Sequence, residues 1–518
     1  MSQNTTQEFG KWRGRLWPVH TYELKKLLPM FFMFFFISFN YTILRDTKDT
    51  LVVTAAGSGA EAIPFLKVYG TVPAAMIFMM IYSKLANTLS KEKLFYSCII
   101  PFLVFFGAFA TVIYPNIDII HPTTSADWLQ SVLPAGFKGL IACYRNWSYS
   151  LFYIMAELWG SVALSLLFWG FANEITKVTE AKRFYTLFGL GANLALVVSG
   201  PAIVAVSKIR ASVPAGVDAW QISLNYLMGM VVLAGIGAVA IYYWINRNIL
   251  TDPRFYDPEQ VSTKKKKKSN MSIGESLMFL ARSKYIGCLA ILVIAYGISI
   301  NLVEVTWKNQ LKLQYSNPND YSAFMGNFSF YTGAVTIFMM LFVGGNCLRR
   351  GWGFAAMITP LMLTVTGLLF FAFILFKENA TVVAFTATLG ATPLLLGVII
   401  GAAQNILSKS AKYSLFDPTK EIAYIPLDAE SKTKGKAAID VVAARLGKSG
   451  GSLIQQGLLV LCGGIGAITP YVAVILLVIV SAWLVAVRSL NTQFLALSEQ
   501  REQEAKEAQA EAAAQATA

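Results

Sequence analysis

The chain has 518 residues, of which 55% are hydrophobic and only 14% charged, and its net charge is +14. A soluble protein carries about a quarter charged residues. Here the apolar residues come in blocks of about twenty, long enough to cross a bilayer as helices, so a soluble enzyme or nucleic-acid-binding domain is a poor fit.

The first 26 residues are polar and basic. They lack the apolar stretch with a small-residue cleavage site that marks a secretory signal, and they are short for a plastid transit peptide. Twelve membrane helices are expected after them, at about 27–45, 67–86, 94–114, 142–171, 185–206, 223–246, 285–304, 323–345, 354–376, 382–408, 438–465 and 469–487. Spans four and eleven are longer than a bilayer requires, so part of each is expected to project or break. With the amino terminus inside, about thirty Lys and Arg fall in cytoplasmic segments and about ten elsewhere, which places both termini in the cytoplasm.

The expected organisation is a cytoplasmic segment 1–26, a six-helix half 27–246, a basic linker 247–284, a second half 285–487 and a polar tail 488–518. That is an all-α polytopic membrane protein with the major facilitator layout, in which substrate binds between two halves near the midplane. The linker's lysine run, Lys264 to Lys268, suits an orientation signal, with anionic membrane lipid as an alternative partner. The tail, rich in Ala, Gln and Glu, reads as a helical or frayed extension.

The halves correspond weakly: span one ends "FNYTILRDTKD" and span seven "SINLVEVTWKN", each placing Asn40 or Asn301 before a charged exit. Cys98, Cys143, Cys288, Cys347 and Cys462 are scattered and form no CxxC pair. His20 and His121 lie outside the spans. No metal site, cofactor or catalytic triad is expected.

A charge at the centre of a spanning helix costs roughly 2.5–3.5 kcal/mol, and those kept there face a partner or a water-filled path. Arg145, Tyr149, Tyr153 and Glu157 recur at steps of four along span four, which predicts a polar staircase on one helix. Arg145 alone is equally well read as an outer flank. Asn301, Glu304 and Lys308 share one side of span seven, where a Glu304–Lys308 pair is an alternative to a transport role. Arg45, Asp46, Lys48 and Asp49 end span one, and Lys67 opens span two. By position Asp46 and Lys67 are flanks. Span eleven carries Asp440, Arg445 and Lys448 among small residues that permit close helix approach. Bases slightly outnumber acids in this set, which suits a polyvalent anion such as a phosphate chain. Tyr149, Tyr153 and Trp147 offer faces for a flat base.

The "GKS" at 447–449 is not a P-loop. That motif needs a glycine five residues before Gly447, where Val442 stands, and a strand ahead of it, whereas the flanking sequence is a membrane block.

Several long blocks resemble the ATP/ADP translocases of plastids and obligate intracellular bacteria. They are "NYTILRDTKDTLVVTA", "MAELWGSVALSLLFWGFANEIT", "FYTLFGLGANLALVVSG", "YGISINLVEVTWK", "SKSAKYSLFDPTKEIAYIPLD" and "KGKAAIDVVAARLGKSGG". The resemblance runs from near residue 20 to near residue 490. It implies a twelve-span antiporter without hydrolysis that takes up external ATP against internal ADP, with phosphate accompanying ADP in some members. The family's two lysines and two glutamates of transport fall on Lys67, Glu157, Glu304 and Lys448, which raises Lys67 above its reading as a flank. A bacterial member is implied, as in Chlamydia or Rickettsia, located in the cell membrane and expected to work as a monomer. Proton-coupled nucleotide import on the same fold is the alternative. The expected set around the phosphates and base is Lys67, Glu157, Glu304 and Lys448 with Arg45, Arg145, Tyr149 and Asn301.

Overall fold

The computed structural model describes residues 19–252 other than Ala215, then Phe255, Glu275 and Met278, and 283–517. The basic residues Lys11 and Arg13 and the run Lys264 to Lys268 lie outside the described residues. Among those described, the regular elements are helices only. Eleven are long and apolar enough to cross a membrane.

We number the long helices α1 (Leu24–Thr54), α2 (Ala62–Thr88), α3 (Lys91–Ile120), α4 (Trp147–Ile175), α5 (Val178–Ser207), α6 (Ala219–Asn248), α7 (Lys284–Gln314), α8 (Pro318–Arg349), α9 (Trp352–Leu375), α10 (Pro393–Ala423), α11 (Ala444–Cys462) and α12 (Ile465–Thr517). The eleven that meet the apolar criterion are all but α11. Arg445, Lys448, Gln455 and Gln456 make α11 too polar for it, yet the helix forms where the sequence placed span eleven.

The chain divides into two compact units. The first comprises Met1–Leu133, Lys138–Lys266 and Tyr315–Ile337; the second comprises Pro134–Phe137, Lys267–Gln314 and Phe338–Ala518. In the first, α1 packs against α4, α5 and α6, and α3 against α6. In the second, α7 packs against α10, α11 and α12, and α9 against α12. The two patterns repeat with an offset of six helices, the arrangement expected of an internal duplication. The leading helix of each set is therefore wrapped by neighbours. This is why α1 and α7 can hold long runs of polar and charged residues that are buried.

Two expectations need correction. The four-residue staircase does not lie on one helix. A short helix, Lys138–Arg145, ends at Arg145, and Asn146 leaves helical geometry (φ −108°, ψ 49°) before α4 starts at Trp147. Span ten does not begin near 382 either. A separate helix, Ala380–Thr388, stops at a turn where Gly390 takes φ +65°, and α10 begins at Pro393, capped by Thr392 Oγ1, which accepts from Leu395 N–H at 3.1 Å. Proline at the first helical position needs no N–H partner there, and glycine alone accommodates the left-handed turn cheaply. The helix then runs on to Ala423, so its centre shifts well past the expected one.

Membrane helices attract one another by close packing rather than by hydrophobic exclusion. The seam between α7 and α11 shows this: a Cβ on Gly297 would lie 2.8 Å from the backbone of Gly447. Gly297→Val is expected to destabilise the protein by about 1–3 kcal/mol, read as a lowered Tm in detergent. Gly457→Ala, where an added Cβ meets nothing within 4 Å, is expected to be neutral. An unchanged Tm for Gly297→Val would contradict the seam.

Candidate transport site

In the first unit, the carboxyl-terminal third of α1 carries Arg45, Asp46, Lys48 and Asp49, the last three buried. Lys48 is the centre of a triad. Its Nζ lies 3.0 Å from Asp49 Oδ1 and 3.0 Å from Glu157 Oε1 on α4, and 3.9 Å from the centre of the Tyr153 ring. Two carboxylates and an aromatic face together replace the water that an ammonium loses on burial. Arg45 donates from Nε to Asp46 Oδ1 (3.1 Å) and from Nη2 to Ser329 Oγ on α8 (2.8 Å), and Ser329 Oγ donates to Asp46 Oδ2 (2.5 Å).

Glu157 is held against α1 by its surroundings. Trp159 Nε1 donates to Ile37 O at 3.1 Å, which fixes the register of α4 on α1. Directly after it, α4 widens into a π-helical stretch at Gly160–Phe168. Lys67 sits in another such stretch, Leu66–Thr71, which packs on α4: a Cβ on Gly70 would meet Ile154 Cδ1 at 2.8 Å. A third, Ala438–Ala443, precedes α11 and Lys448. Such bulges leave backbone groups out of the usual ladder and gather at functional sites.

In the second unit the charge order is reversed. Glu304 on α7 places Oε1 3.3 Å from Lys308 Nζ and 3.3 Å from Lys409 Nζ on α10. The expected Glu304–Lys308 pair is therefore present, with Lys409 as a third member. Asn301 donates from Nδ2 to Lys448 O (2.6 Å) and Ser452 Oγ (3.1 Å), pinning α11 to α7 beside the Gly297–Gly447 contact. Lys448 itself is exposed.

The structure assigns other surroundings to two expected residues. Arg145 forms an ion pair with Asp127 and donates to Gln130 Oε1 at 3.2 Å, both on the short helix Thr123–Val132. Tyr149 is buried, with its ring centre 5.1 Å from that of His121 and 6.0 Å from that of Tyr114. Burial pushes His121 below its ordinary pKa, against the opposing pull of Asp118, so this partner is a neutral imidazole near pH 7. Tyr153 is buried beneath Lys48. Of the three expected stacking faces only Trp147 is exposed, and its Nε1 donates to Ile120 O.

Sequence reading missed Lys409 because span ten was drawn to end at residue 408. With α10 running from Pro393 to Ala423, Lys409 falls mid-helix. It missed the role of Lys48 because the end of span one was drawn at 45, whereas α1 continues to Thr54.

Among the described residues, twelve long helices in two offset-repeated sets, with an ion triad centred on the leading helix of each, define a polytopic membrane transporter fold. The backbone is similar to the structure of a bacterial homologue of the iron transporter ferroportin (TM-score 0.55, 12% identity, covering 93% of this chain and all of that one). It is also similar to a D-xylose-proton symporter (TM-score 0.52, 10% identity, 91% and 97% covered). These likenesses show the major-facilitator-like fold alone. The sequence profile of the TLC ATP/ADP transporter family matches residues 2–494, and the chain belongs to that family. It is 62% identical to ADP,ATP carrier protein 1 of Chlamydia trachomatis, over 98% of this chain and 96% of that protein. It is 54% identical to the chloroplastic ADP,ATP carrier protein 1 of Arabidopsis thaliana (95% and 77% covered). To ADP,ATP carrier protein 1 of Rickettsia bellii it is 46% identical (94% and 96% covered).

Removing one member of a buried ion pair costs about 3–5 kcal/mol, because the partner is left charged and dry. Lys48→Met is expected to lose that much stability, and Lys48→Met combined with Asp49→Asn and Glu157→Gln to regain most of it. Tm values of the single and triple variants in detergent check this. A triple variant no more stable than Lys48→Met would contradict the triad.

Proposed function

We propose that the chain exchanges ATP for ADP across the membrane it spans, by alternating access and without hydrolysis. The observation that carries the reading is its 62% identity, over 98% of its length, to a chlamydial ADP,ATP carrier protein. A bacterial cell membrane with both termini on the cytoplasmic side fits that kinship and the distribution of basic residues. A monomer suffices, because each chain carries both helix sets.

Lys67 and Lys448 with Arg45 are the bases that meet the phosphates, and Glu157 and Glu304 hold bases ready. The geometry supports the second role, since each glutamate already neutralises a lysine of its own unit. Asn301 acts by positioning Lys448. Arg145 and Tyr149 are left out of the substrate set, because Arg145 is engaged with Asp127 and Gln130 and Tyr149 is packed on His121 and Tyr114. A transported anion drives the switch only by binding the switching state better than the resting one. Ion triads that open for a phosphate chain provide such a difference.

ATP carries one more negative charge than ADP. Bringing it in against an inside-negative potential costs about 2.3 kcal/mol per extra charge per 100 mV. Outward phosphate accompanying ADP offsets that charge.

In proteoliposomes, labelled ATP is expected to enter ADP-loaded vesicles at least about tenfold faster than empty ones, with no effect of a protonophore. Lys448→Ala is expected to abolish the difference while its Tm stays within a degree or two, because the exposed ammonium stabilises little. Equal entry into empty vesicles that a protonophore abolishes would establish proton-coupled import instead.

A further inference from the structure

The turn between α1 and α2, residues 55–61, is gripped by the short helix Lys138–Arg145 and by Asn146 after it. The contacts lie within the first unit and run the length of that turn. Arg145 packs against Gly57. A Cβ there would stand 2.8 Å from Arg145 Nε, and Gly57 takes φ +65°, so the position favours glycine on both counts. Asn146 donates from Nδ2 to Ala56 O at 3.2 Å. Lys138 Nζ pairs with Glu61 Oε1 at 3.1 Å. A Cβ on Gly139 would lie 2.4 Å from Glu61 O and 2.8 Å from the Phe65 ring. Cys143 donates from Sγ to Ala62 O at 3.7 Å.

We propose that this short helix is the cradle that sets the direction of Lys67, and that Arg145 and Gly139 serve transport as positioning residues acting through that lysine, without touching substrate. The proposal rests on the nucleotide-exchange reading, in which Lys67 meets the phosphates, and adds to it the element that aims this base.

Position along the chain carries the argument. The gripped segment ends at Phe65, and the π-helical stretch that holds Lys67 begins at the next residue, Leu66. Successive residues of a helix point about 100° apart, so a slip of one residue at the start of α2 turns the ammonium away from the phosphates. A π-helical stretch departs from the α-helical ladder, so its register has to be set from its ends. Downstream, a Cβ on Gly70 would meet Ile154 of α4 at 2.8 Å. Lys67 is thus held between two close contacts at glycines, Gly139 against Glu61 before it and Gly70 against α4 after it. A binding side chain is precise only when the element that carries it is locked by packing and hydrogen bonds.

The cradle is itself anchored. Arg145 is tied through Nη2 to Asp127 and Gln130 on Thr123–Val132, and Ser58 Oγ donates to Val52 O on α1 at 2.7 Å. Arginine suits this place, because its planar head packs on a glycine while one of its nitrogens serves two acceptors. The residue that the sequence singled out therefore has a part in transport at one remove from the substrate.

The test measures ATP affinity of the purified full-length protein in detergent by calorimetry, with single and double variants. Lys67→Gln is expected to weaken binding about tenfold, through loss of a base at the phosphates. Gly139→Ala, which pushes Glu61 and Phe65 aside, and Arg145→Gln are each expected to weaken it by about five- to tenfold. Combined with Lys67→Gln, each is expected to add less than about threefold, because effects exerted through one residue do not add once it is gone. A merely structural role, or a substrate contact by Arg145 itself, weakens binding equally with and without Lys67. An added loss of about threefold or more in the double variants overturns the proposal, and so does wild-type affinity in both Gly139→Ala and Arg145→Gln. Lys138→Gln changes a side chain that is 47% exposed and keeps the test open if either of the others fails to fold. Its smaller loss, about threefold, is expected to vanish beside Lys67→Gln, and its persistence there counts against the cradle. ATP/ADP exchange by wild type is measured in parallel in proteoliposomes. If wild type binds and exchanges while the losses multiply, the cradle is wrong and the transport reading stands. If wild type does not exchange, or Lys67→Gln binds ATP as wild type does, the reading on which the cradle rests fails.

Discussion

Charge neutralisation inside an apolar medium is the constraint on which this structure depends. An isolated ammonium or carboxylate in such a setting loses its hydration and recovers nothing, so it must be given partners. The leading helix of each set, α1 and α7, is wrapped by three neighbours, carries one counter-charge itself and receives another from α4 or α10. Lys48 finds Asp49, Glu157 and the face of Tyr153. Glu304 finds Lys308 and Lys409. Such pairs add little net stability compared with an apolar core of the same shape.

The repeat extends beyond packing. In each set an indole fixes the same helix pair: Trp159 of α4 donates to Ile37 O of α1, and Trp307 of α7 donates to Val398 O of α10. In each set, too, an ion pair joins that helix pair, with the base on the leading helix in one and the acid in the other. Asn40 and Asn301 are less alike than their sequences suggest, since Asn40 reaches Val231 O on α6 and Asn301 reaches Lys448 O on α11.

The helices were largely legible in the sequence because hydropathy reports burial in lipid directly. Their ends were not. Charged residues at the end of a span read as flanks, yet α1 runs on through Lys48 to Thr54 because its neighbours, not water, receive those charges. The same error hid Lys409 beyond the expected end of span ten, where Gly390 and Pro393 had moved the helix start downstream. The Arg145 staircase failed for a local reason: periodicity assumes one continuous helix, and Asn146 interrupts it. The "GKS" at 447–449 is no phosphate loop, and its Gly447 serves the approach of α11 to α7. Lys448, the next residue, is exposed, and its proposed role in meeting a phosphate needs no nucleotide-binding loop.

Exchange without hydrolysis is the claim from which the roles of these residues follow. Simultaneous counting of nucleotides across one vesicle membrane tests it most directly, with ATP labelled at the terminal phosphate outside and differently labelled ADP inside. The account predicts one ADP released for each ATP gained, with the terminal phosphate still attached to the imported nucleotide. Free labelled phosphate appearing in step with uptake, or ATP gained with no ADP lost, would contradict it.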